Sequence, residues 1–108
     1  MKIEDYEKFV NEIIDSFKCK KIIMATSTRV NVENGTDEDP RWSEVLKERN
    51  SFIKEFSLKN NYKLNNLNEL SQKIDNKDRL TDGYHYQVSG YEIFAEQIVK
   101  YIRNSLNI

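Results

Sequence analysis

Ile22-Ile23-Met24-Ala25-Thr26 is a short, continuous apolar run that follows the basic tract Lys18 to Lys21. A run of this length without polar alternation reads as a strand covered on both faces, and such strands are commonly parallel and central. On its N-terminal side, Ile3, Tyr6, Phe9, Val10, Ile13, Ile14 and Phe17 recur at spacings of three and four. That stripe predicts a helix over residues 4–18.

On the C-terminal side, residues 27–39 are polar, contain the turn pair Asn34-Gly35 and end in Asp37-Glu38-Asp39. They predict a long loop at the strand's carboxyl end. The three acids lack the alternating oxygen ligands of a calcium loop and read as a solvated segment ending in a helix cap. Asp39-Pro40 supplies that cap and a first-turn proline, and Trp42, Val45, Leu46, Phe52, Ile53 and Phe56 keep helical spacing to Leu58. The aromatics of both helices are expected to pack against a sheet.

Residues 62–67 read as a second strand, an edge one because Asn is a poor strand former. Leu67, Leu70 and Ile74 fit one short helical turn. Ser89-x-x-Glu92 has capping-box spacing, with Val88 and Ile93 as its hydrophobic staple, so a last helix is expected from Ser89 to about Ser105. Alternation of helices and strands argues for right-handed crossovers and parallel pairing. The expected fold class is α/β: a partial three-layer sandwich whose small parallel sheet, about two strands near residues 21–26 and 62–67, is covered by amphipathic helices.

The 108 residues permit one domain, 1–108. At 12.9 kDa, surface scaling gives roughly 6,300 Å² exposed when folded against roughly 19,000 Å² unfolded, enough for one core. Seventeen Lys and Arg interspersed with eighteen Asp and Glu give a net charge of −1, which argues against nucleic acid as a partner. The single cysteine, Cys19, can form neither an internal disulfide nor a zinc site and reads as a small, partly buried side chain. No run approaches the 18 or so apolar residues of a membrane span, and Met1 to Asp15 lacks a signal-peptide core, so a cytoplasmic protein is expected. The glycosylation triplet Asn34-Gly35-Thr36 needs a secreted context that nothing else supports.

The stretch richest in chemistry is Asp82-Gly83-Tyr84-His85-Tyr86-Gln87-Val88-Ser89-Gly90-Tyr91, which holds the one His, two of three Gly and three of six Tyr. An aspartate three residues before a histidine on a glycine-containing loop can turn its carboxylate onto the imidazole Nδ1–H. This fixes the tautomer and supports the imidazolium formed when Nε2 takes a proton. In an open α/β sheet, a loop after the last strand lies at the carboxyl edge, where ligands bind. Tyr84 and Tyr86 flank the histidine, where either substrate contact or loop packing would suit them.

Asp82-Gly83-Tyr84-His85, followed by Gly90-Tyr91 and a final amphipathic helix, resembles the last block of the SGNH, or GDSL-type, hydrolase family. The resemblance extends upstream in architecture: a helix and strand ending in a Thr-rich segment, Lys21 to Thr28; a helix with Asn50 near its middle; and a strand ending in Asn66-Leu67 where the family has Asp-Leu. It implies that residues 1–108 correspond to the family's C-terminal half, with Asp82 and His85 as orienting acid and base. Thr26, Ser27, Tyr84 and Tyr86 would line the substrate site.

The family's Gly-Asp-Ser-like nucleophile block, the oxyanion Gly and the Gly-x-Asn-Asp block have no counterpart in the sequence. Ser27 lacks the glycine-flanked turn that exposes a nucleophile and suits a site-lining or turn role. The implied activity is hydrolysis or transfer of an O-acyl ester, on a carbohydrate or lipid, with serine and oxyanion hole supplied by another polypeptide and no metal or organic cofactor. The rival expectation is an inactive fragment that binds a partner or itself. A sheet this narrow cannot bury both amphipathic helices, so a homo-oligomer or an N-terminal-half chain completing the sheet is expected.

Overall fold

A computed structural model describes residues 1–17 and 21–108. Helix α1 spans Ile3–Ser16, strand β1 Ile23–Ala25, helix α2 Pro40–Lys59, strand β2 Lys63–Asn65, helix α3 Leu67–Gln72 and helix α4 Val88–Leu106, with a 3₁₀ turn at Asn76–Asp78 before α4. The chain is thus mixed α/β. Cys19 lies outside the described residues.

β1 and β2 pair in parallel, with Ile23 opposite Lys63, Met24 opposite Leu64 and Ala25 opposite Asn65. The expectation of a covered, central β1 is corrected: Ile23 and Met24 are half-buried, Ala25 is exposed, and β2 is its one partner among the described residues. Both strands are three residues long, and past β1 side chains of the helices take over the backbone, Asn50 accepting the Ser27 N–H and Ser71 the Arg29 N–H.

α2 begins as its sequence demands. Pro40 fills the first turn, where its missing N–H has no use, and the Asp39 carboxylate accepts the Arg41 N–H at 3.0 Å. The Arg41 guanidinium also donates to Asp39, holding that buried carboxyl below the usual carboxylate range. α1 lies against α2 through Tyr6, whose ring meets Phe52 edge-on at 6.1 Å under the Arg49 guanidinium. No residue of α1 is fully buried.

α4 starts one residue earlier than its sequence suggests, and the capping box does not form. The Ser89 hydroxyl instead donates to Asp78 Oδ1 at 2.6 Å, and Val88 is exposed inside the first turn. Phe94 on α4, Ile74 and Tyr86 make the core cluster, flanked by Leu67, Leu70 and Ile93. Gly90 permits this packing, since a Cβ there would stand 2.5 Å from the Asp78 carbonyl oxygen and 2.9 Å from Tyr86 Cβ. Asn65 at the end of β2 is buried and accepts from Gln97 of α4 at 2.6 Å, so α4 covers the face of β2 opposite Leu64.

The molecule is a slab of 42 × 37 × 19 Å with a radius of gyration of 15.0 Å, against about 13 Å expected for its length. Among the described residues no helix is long and apolar enough to cross a membrane.

Candidate active site

Residues 79–87 form a tight excursion between the 3₁₀ turn and α4. Its base is closed by the Leu80 N–H donating to the His85 carbonyl and the Gln87 N–H donating to the Asp78 carbonyl. At its tip Gly83 takes φ +88°, and a Cβ there would lie 2.1 Å from the Asn31 carbonyl oxygen. Only glycine suits that position. The tip is clasped by the loop after β1: Asn31 N–H donates to the Gly83 carbonyl at 2.9 Å and Asn34 N–H to the Thr81 carbonyl at 2.7 Å.

Asp82 organises the turn. Its Oδ1 accepts the backbone N–H of Tyr84 at 2.8 Å and of His85 at 2.9 Å, and its Oδ2 lies 2.5 Å from His85 Nδ1. The His85 contact first, and then the two backbone N–H groups, hold the Asp82 carboxyl at about 2, below its ordinary 3.8. A carboxylate ionised at neutral pH accepts only, so the proton between the pair sits on Nδ1 and Nε2 is left as the acceptor. The imidazole is 65% exposed and open to an incoming group.

Ser27 and Thr26 stand at the carboxyl end of β1 with different roles. The Ser27 N–H donates to Asn50 Oδ1 at 2.8 Å and its carbonyl accepts from Asn50 Nδ2 at 3.1 Å, so buried Asn50 grips the strand end with both halves of its amide. The Ser27 side chain is not hydrogen-bonded to His85. Thr26 is 3% exposed, its hydroxyl donating to Asn66 Oδ1 and accepting the Asn68 N–H. Asn66 also caps α3 by accepting the Glu69 N–H, so the Asn66-Leu67 pair ties the ends of β1 and β2 together.

The two tyrosines beside His85 part company because Tyr84 sits in the bend that Asp82 organises, whereas Tyr86 lies at the base, bridged to Arg79 and packed on Phe94. Tyr86 points inward, into the core cluster. Its ring is buried 4.9 Å from Phe94, and its hydroxyl accepts from Arg79 at 3.2 Å. Tyr84 is 45% exposed, and its hydroxyl accepts the Trp42 indole N–H at 2.9 Å, the rings meeting edge-on at 6.5 Å.

Trp42 is therefore part of the surface beside the dyad instead of the sheet-facing core residue its helical spacing suggests. The order of elements carried the signal: α2 starts at Pro40 after a loop leaving the carboxyl end of β1, which puts the helix's first turn at that same edge. Among the described residues no three His, Cys, Asp or Glu side chains converge as a metal cluster would. Comparison with protein-family models and with curated proteins returns no match for this chain.

Proposed function

We propose that the chain carries the base and its orienting acid for an SGNH-type serine ester hydrolase or O-acyl transferase, with the nucleophilic serine and oxyanion donors supplied from outside residues 1–108. The observation that carries this reading is the 2.5 Å contact from Asp82 Oδ2 to His85 Nδ1, made by a carboxylate already fixed by two backbone N–H groups. Such a pair is pre-oriented before any substrate arrives.

In this reaction the serine oxygen attacks the acyl carbon as its proton passes to His85 Nε2. Collapse of the tetrahedral adduct breaks the ester C–O bond, and the proton leaves with the alcohol. Water or a second alcohol, deprotonated by the same Nε2, then takes the acyl group. Asp82 balances the imidazolium in both halves. The substrate is an O-acyl ester of a carbohydrate or lipid, for which the half-exposed Tyr84 and Trp42 offer an aromatic wall.

The test is hydrolysis of a short-chain chromogenic acetate ester by the chain alone and mixed with a candidate chain bearing a Gly-Asp-Ser block, with His85→Ala as control. Activity on mixing that is lost in His85→Ala supports the reading. Full activity with His85→Ala overturns it. The second reading, a non-catalytic binding module, is favoured by one observation: Phe9 and Ile13 on α1 and Phe17 just after it are 46%, 53% and 55% exposed.

A further inference from the structure

β1 presents an edge with a fixed set of vacant bonds. The Thr26 N–H donates to the Asn65 carbonyl at 3.2 Å and the Lys63 N–H to the Ile22 carbonyl at 3.3 Å, so even-numbered residues of β1 turn their backbone groups to β2. Alternation along the strand then points the N–H and C=O of Ile23 and Ala25 away from β2. None of these four groups has a hydrogen-bond partner among the described residues. Beside them runs an apolar groove of about 490 Å³, walled by Tyr6, Val10 and Ile13 of α1 with Phe17 just beyond it, and floored by the strand.

We propose that this edge pairs with the same edge of a second copy of the chain, antiparallel, about a twofold axis at Met24. The proposal is independent of the acyl-transfer reading, since a second copy needs no catalytic chemistry. Three observations converge on it.

The first is the bonding pattern. With Met24 facing Met24 of the second copy, Ile23 stands opposite Ala25 of that copy on each side of the axis. Each such pair exchanges both its bonds, so all four vacant groups on each edge are used, and only an antiparallel ladder is symmetric in this way.

The second is the placement of α1. It runs alongside α2, Tyr6 meeting Phe52 near the middle of α2, with Asn11, Ile14 and Asp15 beside its last turn, and it enters β1 through a short connection. An axis normal to the sheet keeps the two α1 helices on one face, flanking the seam. Phe9 and Ile13 of each copy then meet across it, the burial that both lack in the single chain.

The third is area. The chain exposes 7790 Å², about 1,500 Å² more than the roughly 6,300 Å² of a folded monomer of its mass. A stable interface takes about 800 Å² from each partner. The net charge of −1 sets up little repulsion between copies.

Sedimentation equilibrium of the purified chain from low micromolar to high micromolar concentration tests this. A species of twice 12.9 kDa is expected. Two variants separate this seam from other apolar faces: Ala25→Pro removes an outward N–H and leaves the β2 ladder whole, and Ile13→Glu charges an exposed α1 position. Both are expected to sediment as monomers with an unchanged far-ultraviolet spectrum. Register is read from Met24→Cys in a Cys19→Ser background, which is expected to oxidise to a covalent dimer faster than Ile23→Cys in the same background. A wild-type chain that stays monomeric throughout overturns the proposal, as does a dimer that survives both variants. A dimer in which Ile23→Cys links faster overturns the Met24 axis.

Discussion

Asp82 and His85 are joined three ways by one carboxylate: Oδ2 meets the imidazole Nδ1, while Oδ1 accepts the His85 backbone N–H and that of the intervening Tyr84. The residue that orients the imidazole also builds the turn that carries it. Asp82→Asn separates the two roles, because an amide oxygen can still accept the backbone N–H groups but no carboxylate faces Nδ1. The expected outcome is an unchanged fold with a changed tautomer population at His85, read from imidazole ¹⁵N shifts. In a reconstituted esterase kcat is expected to fall on the order of 10³–10⁴-fold.

The same contacts set a pH dependence. The Asp82 carboxyl lies at about 2 in the folded chain against 3.8 when free, so its ionised form favours the folded turn. That contribution is complete above the free value and disappears as pH falls through the folded one. Carboxyl ¹³C shifts of Asp82 and the amide shifts of Tyr84 and His85 are expected to move together with a midpoint near 2. A midpoint at the ordinary aspartate value would show that the turn does not hold the carboxylate.

Asn50 is expected to matter more than its place in the middle of a helix suggests. Asn50→Ala leaves both the N–H and the C=O of Ser27 without their partner, at a cost of about 1–2 kcal/mol in urea unfolding. Asn50→Asp restores an acceptor for the N–H and sets a carboxylate against the Ser27 carbonyl, so it is expected to rescue little at neutral pH.

Gly83 and Gly35 offer a matched contrast. Gly83→Ala meets a backbone carbonyl at 2.1 Å in a left-handed conformation, whereas Gly35→Ala meets the tip of the Val32 side chain at 2.3 Å. The first is expected to cost about 1–3 kcal/mol and to loosen the Asn31 amide in hydrogen exchange. A rotamer change at Val32 absorbs the second, which thermal unfolding is expected to report as the milder variant.

Helices were legible because apolar spacing is a local signal: Ile3 to Phe17 and Trp42 to Phe56 mark α1 and α2 to within about two residues. The Asp39-Pro40 start was legible for the same reason. The failures come from partners far along the chain. Ser89 has capping-box spacing, but the Asp78 carboxylate takes its hydroxyl. Tyr84 and Tyr86 are equivalent in sequence, and Arg79 with Phe94 decides which is buried. The Asp82–His85 contact was legible because three residues of spacing contain it entirely. The Trp42–Tyr84 pair spans 42 positions and was not.

The clasp on the histidine turn rests on two bonds from the loop after β1, Asn31 to Gly83 and Asn34 to Thr81, and one from the first turn of α2, Trp42 to Tyr84. Bonds in parallel from the loop and from the adjoining helix start make these segments one mechanical unit: neither can swing out while the other stays. Local opening is therefore expected as a single cooperative event in which the imidazole, the aromatic pair and the segment from Asn31 to Asp39 come loose together. A protease that finds one of these loops finds both.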